Sequence, residues 1–176
     1  MLVGRGTLTF STLRPHLDSA LVHIRRATER DASAIATVLH DAFAEVDRFY
    51  TRAGYTATTT PAEQIRTRLA EGPTWVAEDD GRVVGTMAAV KRESGVYVRS
   101  MGVAPAGRGK DAGRALMRQL ELFAISTGAP RMYLSTTPFL FAAIRLYESL
   151  GFRRTGEPPD ELFGTPLFTM ARPLAR

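Results

Sequence analysis

The segment Met101-Gly102-Val103-Ala104-Pro105-Ala106-Gly107-Arg108-Gly109-Lys110-Asp111-Ala112-Gly113-Arg114-Ala115-Leu116-Met117 has the residue types of an anion site. An apolar run stops at Val103, and Pro105 has no N–H to continue a ladder. Gly107 and Gly109 permit positive φ, so that backbone N–H groups can turn into one concave loop. A helix is predicted to begin near Asp111, and its first N–H groups have no intrahelical acceptor and carry the positive end of the helix dipole. Arg108, Lys110 and Arg114 add charge to the same arc. Donors spread along an arc suit a pyrophosphate better than a single phosphate. A solvated strand-to-helix turn with a few basic residues reads the same way, because a lone glycine-rich loop is a weak signal.

Composition narrows the chemistry. The chain has 176 residues, enough for one domain, and is 44% hydrophobic. It contains no cysteine, which removes disulfides, thiolate metal sites and a Cys nucleophile. His16, His23 and His40 lie at spacings unlike a metal motif, so no metal is expected. The formal charge of +5 favours anionic partners and works against polycationic substrates. Its basic residues are dispersed and lack interleaved aromatic platforms, so nucleic acid is not an expected partner. No stretch reaches the length of a membrane span, and residues 1–20 lack the apolar core of a signal peptide. The expected location is cytoplasmic, with no membrane partner.

The elements that must position the loop follow from periodicity. Residues 1–20 read as an extension, with a short strand around Leu8 and Phe10. Leu21–Arg26 reads as a strand. Ile35, Val38, Leu39, Ala42, Phe43 and Val46 share one helical face, with Thr28 or Asp31 as the cap. Arg52–Thr60 reads as a polar loop. Thr60-Pro61-Ala62-Glu63 looks like a capping box with Pro at the first helical position, opening a short helix that ends at Gly72-Pro73. Thr74–Glu78, Arg82–Lys91 and Val96–Val103 form a meander, with Asp-Gly at its first turn. A helix over Ala112–Thr127, a strand over Met132–Thr136, a helix over Pro138–Leu150 capped by Thr137, and strands over Phe152–Gly156 and Pro166–Ala171 complete the order. The reading is one α/β domain over residues 21–172, a mixed central sheet flanked by helices, with a short tail at 173–176.

With these residues in view, Val103–Met117 resembles the acetyl-CoA-binding motif of the GNAT superfamily of N-acetyltransferases, through Val103, Pro105, Arg108, Gly109, Gly113, Leu116 and Met117. Downstream, Ala143-Ile144-Arg145-Leu146-Tyr147-Glu148-Ser149-Leu150-Gly151-Phe152 is similar to a second motif of that family, one helix and one strand later. The resemblance implies the family's fold, in which two strands splay to admit the cofactor. It also implies acetyl-CoA as co-substrate, held by Met101, Gly102, Val103, Arg108, Gly109, Lys110, Asp111, Ala112, Gly113, Arg114 and Tyr147. Backbone N–H groups around Met101–Val103 would bind the thioester carbonyl, with Gly102 suiting a bulge or close backbone approach.

Acetyl transfer to an amine needs a neutral amine and a proton for the departing thiolate. The resemblance makes Tyr147 the acid; by spacing alone it reads first as a core tyrosine on an amphipathic helix. Many members carry a Glu where this chain has Tyr97, so Glu93 is the nearest carboxylate for a base, with Glu45, Asp47 or a water chain as alternatives. Two further departures stand out. Asp111 occupies a position usually held by Gly or Ala and is expected to turn outward and cap the helix. Leu140 replaces an Asn that bonds the pantetheine arm in many members. The acceptor region is expected around Phe43–Thr60, with Phe49, Tyr50 and Tyr55. The implied activity is acetyl transfer to a primary amine of a small molecule; a protein lysine or N-terminus is the alternative acceptor, and a non-catalytic acyl-CoA-binding module a third reading. Members of the family are often homodimers, with Thr165–Met170 and the N-terminal extension as candidate interface pieces here.

Overall fold

The computed structural model describes residues 22–175; the readings for residues 1–20 lie outside them. The chain runs β1 (His23–Arg26), α1 (Ala32–Phe43), α2 (Arg52–Thr58), α3 (Ala62–Arg68), β2 (Thr74–Asp79), β3 (Arg82–Arg92), β4 (Gly95–Val103), α4 (Ala112–Ser126), β5 (Arg131–Thr136), α5 (Phe141–Ser149), β6 (Arg153–Arg154), β7 (Asp160–Leu162) and β8 (Thr165–Pro173). The strand order is β1-β2-β3-β4-β5-β8-β6, and β7 pairs with β8. Only the β4–β5 pair is parallel; every other pair is antiparallel. This is the expected mixed-sheet α/β domain.

Both faces of the sheet are covered. On one, Leu116, Met117, Leu120 and Ala124 of α4 pack with Trp75, Ala77, Val84 and Met87. On the other, Ala32, Ile35 and Leu39 of α1 and Ile65 of α3 pack on Val76. Central strands buried on both faces read as continuous apolar runs, which is why β3 is buried from Val84 to Val90 without alternation. Asp80 and Gly81 both take positive φ in the first hairpin, as Asp-Gly predicts. No helix among the described residues is long and apolar enough to cross a membrane.

Several local expectations are corrected. Arg52–Thr60 is not a loop: α2 forms because the Thr51 hydroxyl accepts the Gly54 N–H at 3.0 Å and caps it. Thr56, Thr58 and Thr59 then return their hydroxyls to carbonyls four residues back, so polarity is absorbed within the helix. Thr60 does not open a capping box; Pro61 holds the cap position and the Thr60 hydroxyl accepts from Arg68 Nη1 at 3.0 Å. The reciprocal pair lies earlier, where the Asp31 carboxylate accepts the Thr28 N–H at 2.7 Å and also binds Arg25. Thr137 is not the cap of α5; Leu140 holds that position without a side-chain bond. The short strand β7, missed by periodicity, is made by the Phe163-Gly164 turn, both residues at positive φ. Finally, β8 is an internal strand that bonds β5, β6 and β7.

A candidate active site at the parting of two strands

The site begins with a failure of pairing. β4 and β5 meet only at Val96↔Met132 and Tyr97↔Tyr133. Beyond Tyr97 they diverge, so β4 has no ladder partner on that side. A bulge against β3 accompanies the divergence: Ser100 and Met101 together face Met87, and Ser100 takes positive φ. Gly102, one residue on, is paired regularly. Its role is close approach, since a Cβ there would stand 3.2 Å from Ala42 Cβ and 3.3 Å from Leu39 Cδ2 of α1.

Two cavities open from this parting. The larger, about 730 Å³, runs between the β4–α4 loop, the end of α1 and the start of α5. Its lining includes Met101, Gly102, Val103, Arg108, Gly109, Asp111, Ala112, Gly113, Arg114 and Tyr147, which are ten of the eleven sequence-predicted cofactor residues. Lys110 is the exception, because its ammonium pairs with Asp79 outside the cavity. The glycines divide their work. Gly109 takes φ +73, as expected. Gly107 does not need positive φ; a Cβ there would stand 2.9 Å from Val84 Cβ. Gly113 is likewise a packing glycine, its missing Cβ 2.9 Å from Leu146 Cδ2. The first intrahelical bond of α4 is Ala115 N–H to the Asp111 carbonyl at 3.0 Å. The N–H groups of Ala112, Gly113 and Arg114 therefore have no intrahelical acceptor and lie at the cavity wall.

Asp111 sits at the N-cap position of α4 with φ +60 and makes no side-chain cap bond. The expected capping fails because the left-handed backbone takes the place of the extended conformation from which an N-cap side chain reaches back. Its carboxylate lies 3.4 Å from Arg114 Nε instead. Arg108 crosses the cavity mouth to Glu45 at 2.9 Å, and both side chains are largely exposed.

The smaller cavity, about 320 Å³, lies on the other side of the parting. Tyr50, Thr58, Tyr97 and Arg99 contribute to it, and Leu162, Phe163 and Leu167 of the β7–β8 hairpin wall it. Phe43, Met101, Leu140 and Tyr147 line both cavities. The Tyr147 hydroxyl donates to Met101 Sδ at 3.6 Å at this junction. Burial pushes the Tyr147 phenol far above the usual tyrosine range, and Tyr50 and Tyr97 act in the same direction. It therefore stays protonated at neutral pH, as a weaker acid than a free phenol. Glu93 is not brought here: it stands exposed in the turn between β3 and β4 and lines neither cavity. Glu45 lines only the larger one, and among the described residues no carboxylate lines the smaller.

Sequence reasoning missed Phe139, Phe141–Ala143, Arg145 and Leu146 in the larger cavity and Arg68 and Arg99 in the smaller. Arg145 lies within the quoted second motif, one turn before the end of α5, so its place was available. Arg68 and Arg99 carried no local signal, since α3 and β4 converge only in three dimensions.

Comparison with known proteins agrees with this geometry. The sequence model of the acetyltransferase (GNAT) family matches residues 39–152. An N-acetylaspartate synthetase of Danio rerio is 46% identical over 88 residues, which is 49% of this chain and 31% of that protein. The chain thus spans about a third of the length of the curated relatives it matches. Among solved structures, yncA of Salmonella typhimurium, solved with its cofactor acetyl-CoA, is 27% identical with a TM-score of 0.69, over 88% of this chain and 95% of that one. A ribosomal-protein-alanine N-acetyltransferase of Brucella melitensis is 26% identical with a TM-score of 0.68, over 86% and 99%.

Proposed function

Because the chain belongs to the acetyltransferase (GNAT) family, we propose that it transfers the acetyl group of acetyl-CoA to the primary amine of a small molecule. Acetyl-CoA lies in the larger cavity in this reading, and the amine in the smaller. The observation that carries it is the junction: Phe43, Met101, Leu140 and Tyr147 line both cavities where β4 leaves β5, so two ligands can meet there.

The fit of the larger cavity rests on its own features. The start of α4 offers unpaired N–H groups, Arg108 and Arg114 offer charge, and Gly113 keeps the wall open. Acetyl-CoA supplies a thioester carbon open to attack. The N–H groups of β4 beyond Tyr97 lack a ladder partner on β5 and so are available to the carbonyl oxygen as charge develops on it. The amine nitrogen forms its bond to the carbonyl carbon as the carbon–sulfur bond breaks. Tyr147 gives the leaving sulfur a proton and regains one from solvent. With no carboxylate in the smaller cavity, the amine's proton passes to water. The small volume and the hairpin wall favour a small molecule over a protein side chain.

The test is release of coenzyme A thiol from acetyl-CoA in the presence of amines. The chain has no cysteine, so a thiol reagent reads the product alone. Calorimetry alongside should give micromolar acetyl-CoA binding. Failure to bind acetyl-CoA sinks the reading; binding without thiol release for any amine leaves only a binding module.

A further inference from the structure

The smaller cavity has an electrostatic character of its own. Among the described residues, the only charged ones that line it are Arg68 and Arg99. Arg99, on β4, shares a strand face with Tyr97. Its Nη1 bonds Glu71 Oε2 at 2.7 Å, while its Nε is buried and has no hydrogen-bond partner among the described residues. A buried guanidinium N–H without an acceptor costs stability, and it leaves the rest of the guanidinium as the part that faces the cavity. Arg68 spends Nη1 on Thr60. Burial and the like charge of Arg99 both act against its cation, and Glu71 offsets them only in part. Two guanidinium groups and one carboxylate leave one positive charge in excess, inside a partly enclosed site. Such a cavity repels a cationic amine unless the same molecule carries an anion.

We infer that the amine accepted in this cavity also carries a carboxylate, bound by Arg99 and Arg68. This rests on the acetyl-transfer reading of the cavity. The guanidinium fork matches a carboxylate with paired N–H donors, and its charge does not titrate in the working pH range. Anchored at that end, the amine is held within a short molecule's reach of Tyr147, since both arginines and Tyr147 line the same 320 Å³. The acceptor class is therefore amino acids and related amino-carboxylates rather than polyamines.

The experiment is the thiol-release assay on the whole chain with matched amines: glycine, β-alanine, aspartate and glutamate against their amides, with O-phosphoethanolamine as a phosphate-bearing arm. At least one acid should be acetylated with kcat/KM about 30-fold above its amide, the scale of a charge pair that is desolvated and then broken. Arg99→Gln and Arg68→Gln should each raise KM for that acid about 10-fold or more while leaving the amide within about twofold; Arg99→Lys should recover part of the loss. Equal or better use of the amides, preference for the phosphate, or variants that lower acid and amide alike would each overturn the carboxylate site while leaving acetyl transfer intact. If no amine releases thiol although acetyl-CoA binds, the acetyl-transfer reading fails instead. Saturation-transfer NMR with the same acids and amides on CoA-loaded protein then decides the site: no acid-selective signal, or one indifferent to Arg99→Gln, overturns it.

Discussion

The two cavities that meet at Tyr147 are held open in different ways. The larger is built from short stretches within 42–46, 101–103, 107–114 (Lys110 excepted) and 139–147, and its anion site is largely backbone: N–H groups at a helix start, shaped by glycines that mostly pack rather than bend. Arg108 and Arg114 are exposed and already paired with Glu45, Asp111 or Ser149, contacts that a surface salt bridge makes weakly and exchanges easily. The smaller is built from side chains of distant segments, and its arginines are half-buried, one with an N–H unsatisfied. Backbone donors recognise what any cofactor of that shape presents. Side-chain donors in a closed wall recognise one ligand class. The contrast separates a site that reads the shape of a ligand from one that reads its charge.

The sharpest way to break the contrast is at the residue both cavities share. Tyr147→Phe should lower kcat about 100-fold, the usual weight of a positioned general acid, and change acetyl-CoA affinity by less than about twofold. Because burial holds the phenol above its ordinary range, the wild-type rate should show no alkaline fall from this group below about pH 10. An unchanged kcat in the variant would reduce Tyr147 to a core tyrosine packed on Phe152.

Next in size is a test of independence. Arg108→Ala should weaken acetyl-CoA binding about tenfold, the loss of one charge-assisted contact at an exposed site, with KM for the amine unmoved. Calorimetry and steady-state kinetics on one preparation check both. Arg99→Gln should do the reverse. If either variant moves both constants equally, the cavities are one site and the contrast above is wrong.

What the sequence made legible follows the same division. The pyrophosphate loop was readable because Pro105, Gly109, Arg108 and the helix start lie within one local pattern, and local backbone rules govern it. Gly107 and Asp111 were misread in detail because the reasons for them, Val84 packed against one and the left-handed backbone of the other, come from neighbours and conformation that residue type does not reveal. Arg52–Thr60, which holds the helix Arg52–Thr58, was read as a loop because its four threonines look like loop residues until the hydroxyls of Thr56, Thr58 and Thr59 are seen to bond carbonyls four residues back. Arg68 and Arg99 could not be found by spacing at all. Thirty-one positions separate them, and what makes them a site is the approach of α3 to β4.

A smaller effect sharpens the account of the loop. Asp111 holds φ +60 and places a negative charge beside the anion site. Asp111→Gly removes both the charge and the left-handed cost, whereas Asp111→Asn removes only the charge, since Asn tolerates that conformation. Both remove the same charge and should tighten acetyl-CoA binding equally, by about threefold if roughly 1 kcal/mol or less is at stake, while the backbone relief in Asp111→Gly should appear in thermal stability alone. Weaker binding in both would mean that the Asp111–Arg114 pair orients Arg114 for the pyrophosphate.

The smallest expected effect concerns the Arg108–Glu45 pair across the mouth of the larger cavity. At 2.9 Å with both side chains exposed, it is worth between nothing and about 1 kcal/mol. Arg108 must leave Glu45, or share it, to bind a phosphate. Glu45→Gln removes the competitor and one negative charge near the ligand, so acetyl-CoA should bind about twofold more tightly, and the gain should vanish in salt as screening removes the charge term. A gain that persists at high salt would mean that Glu45 obstructs the cavity by bulk rather than by charge. A loss of binding would mean that Glu45 serves the backbone-built cavity as a positioning residue, and that this cavity too depends on a specific side chain.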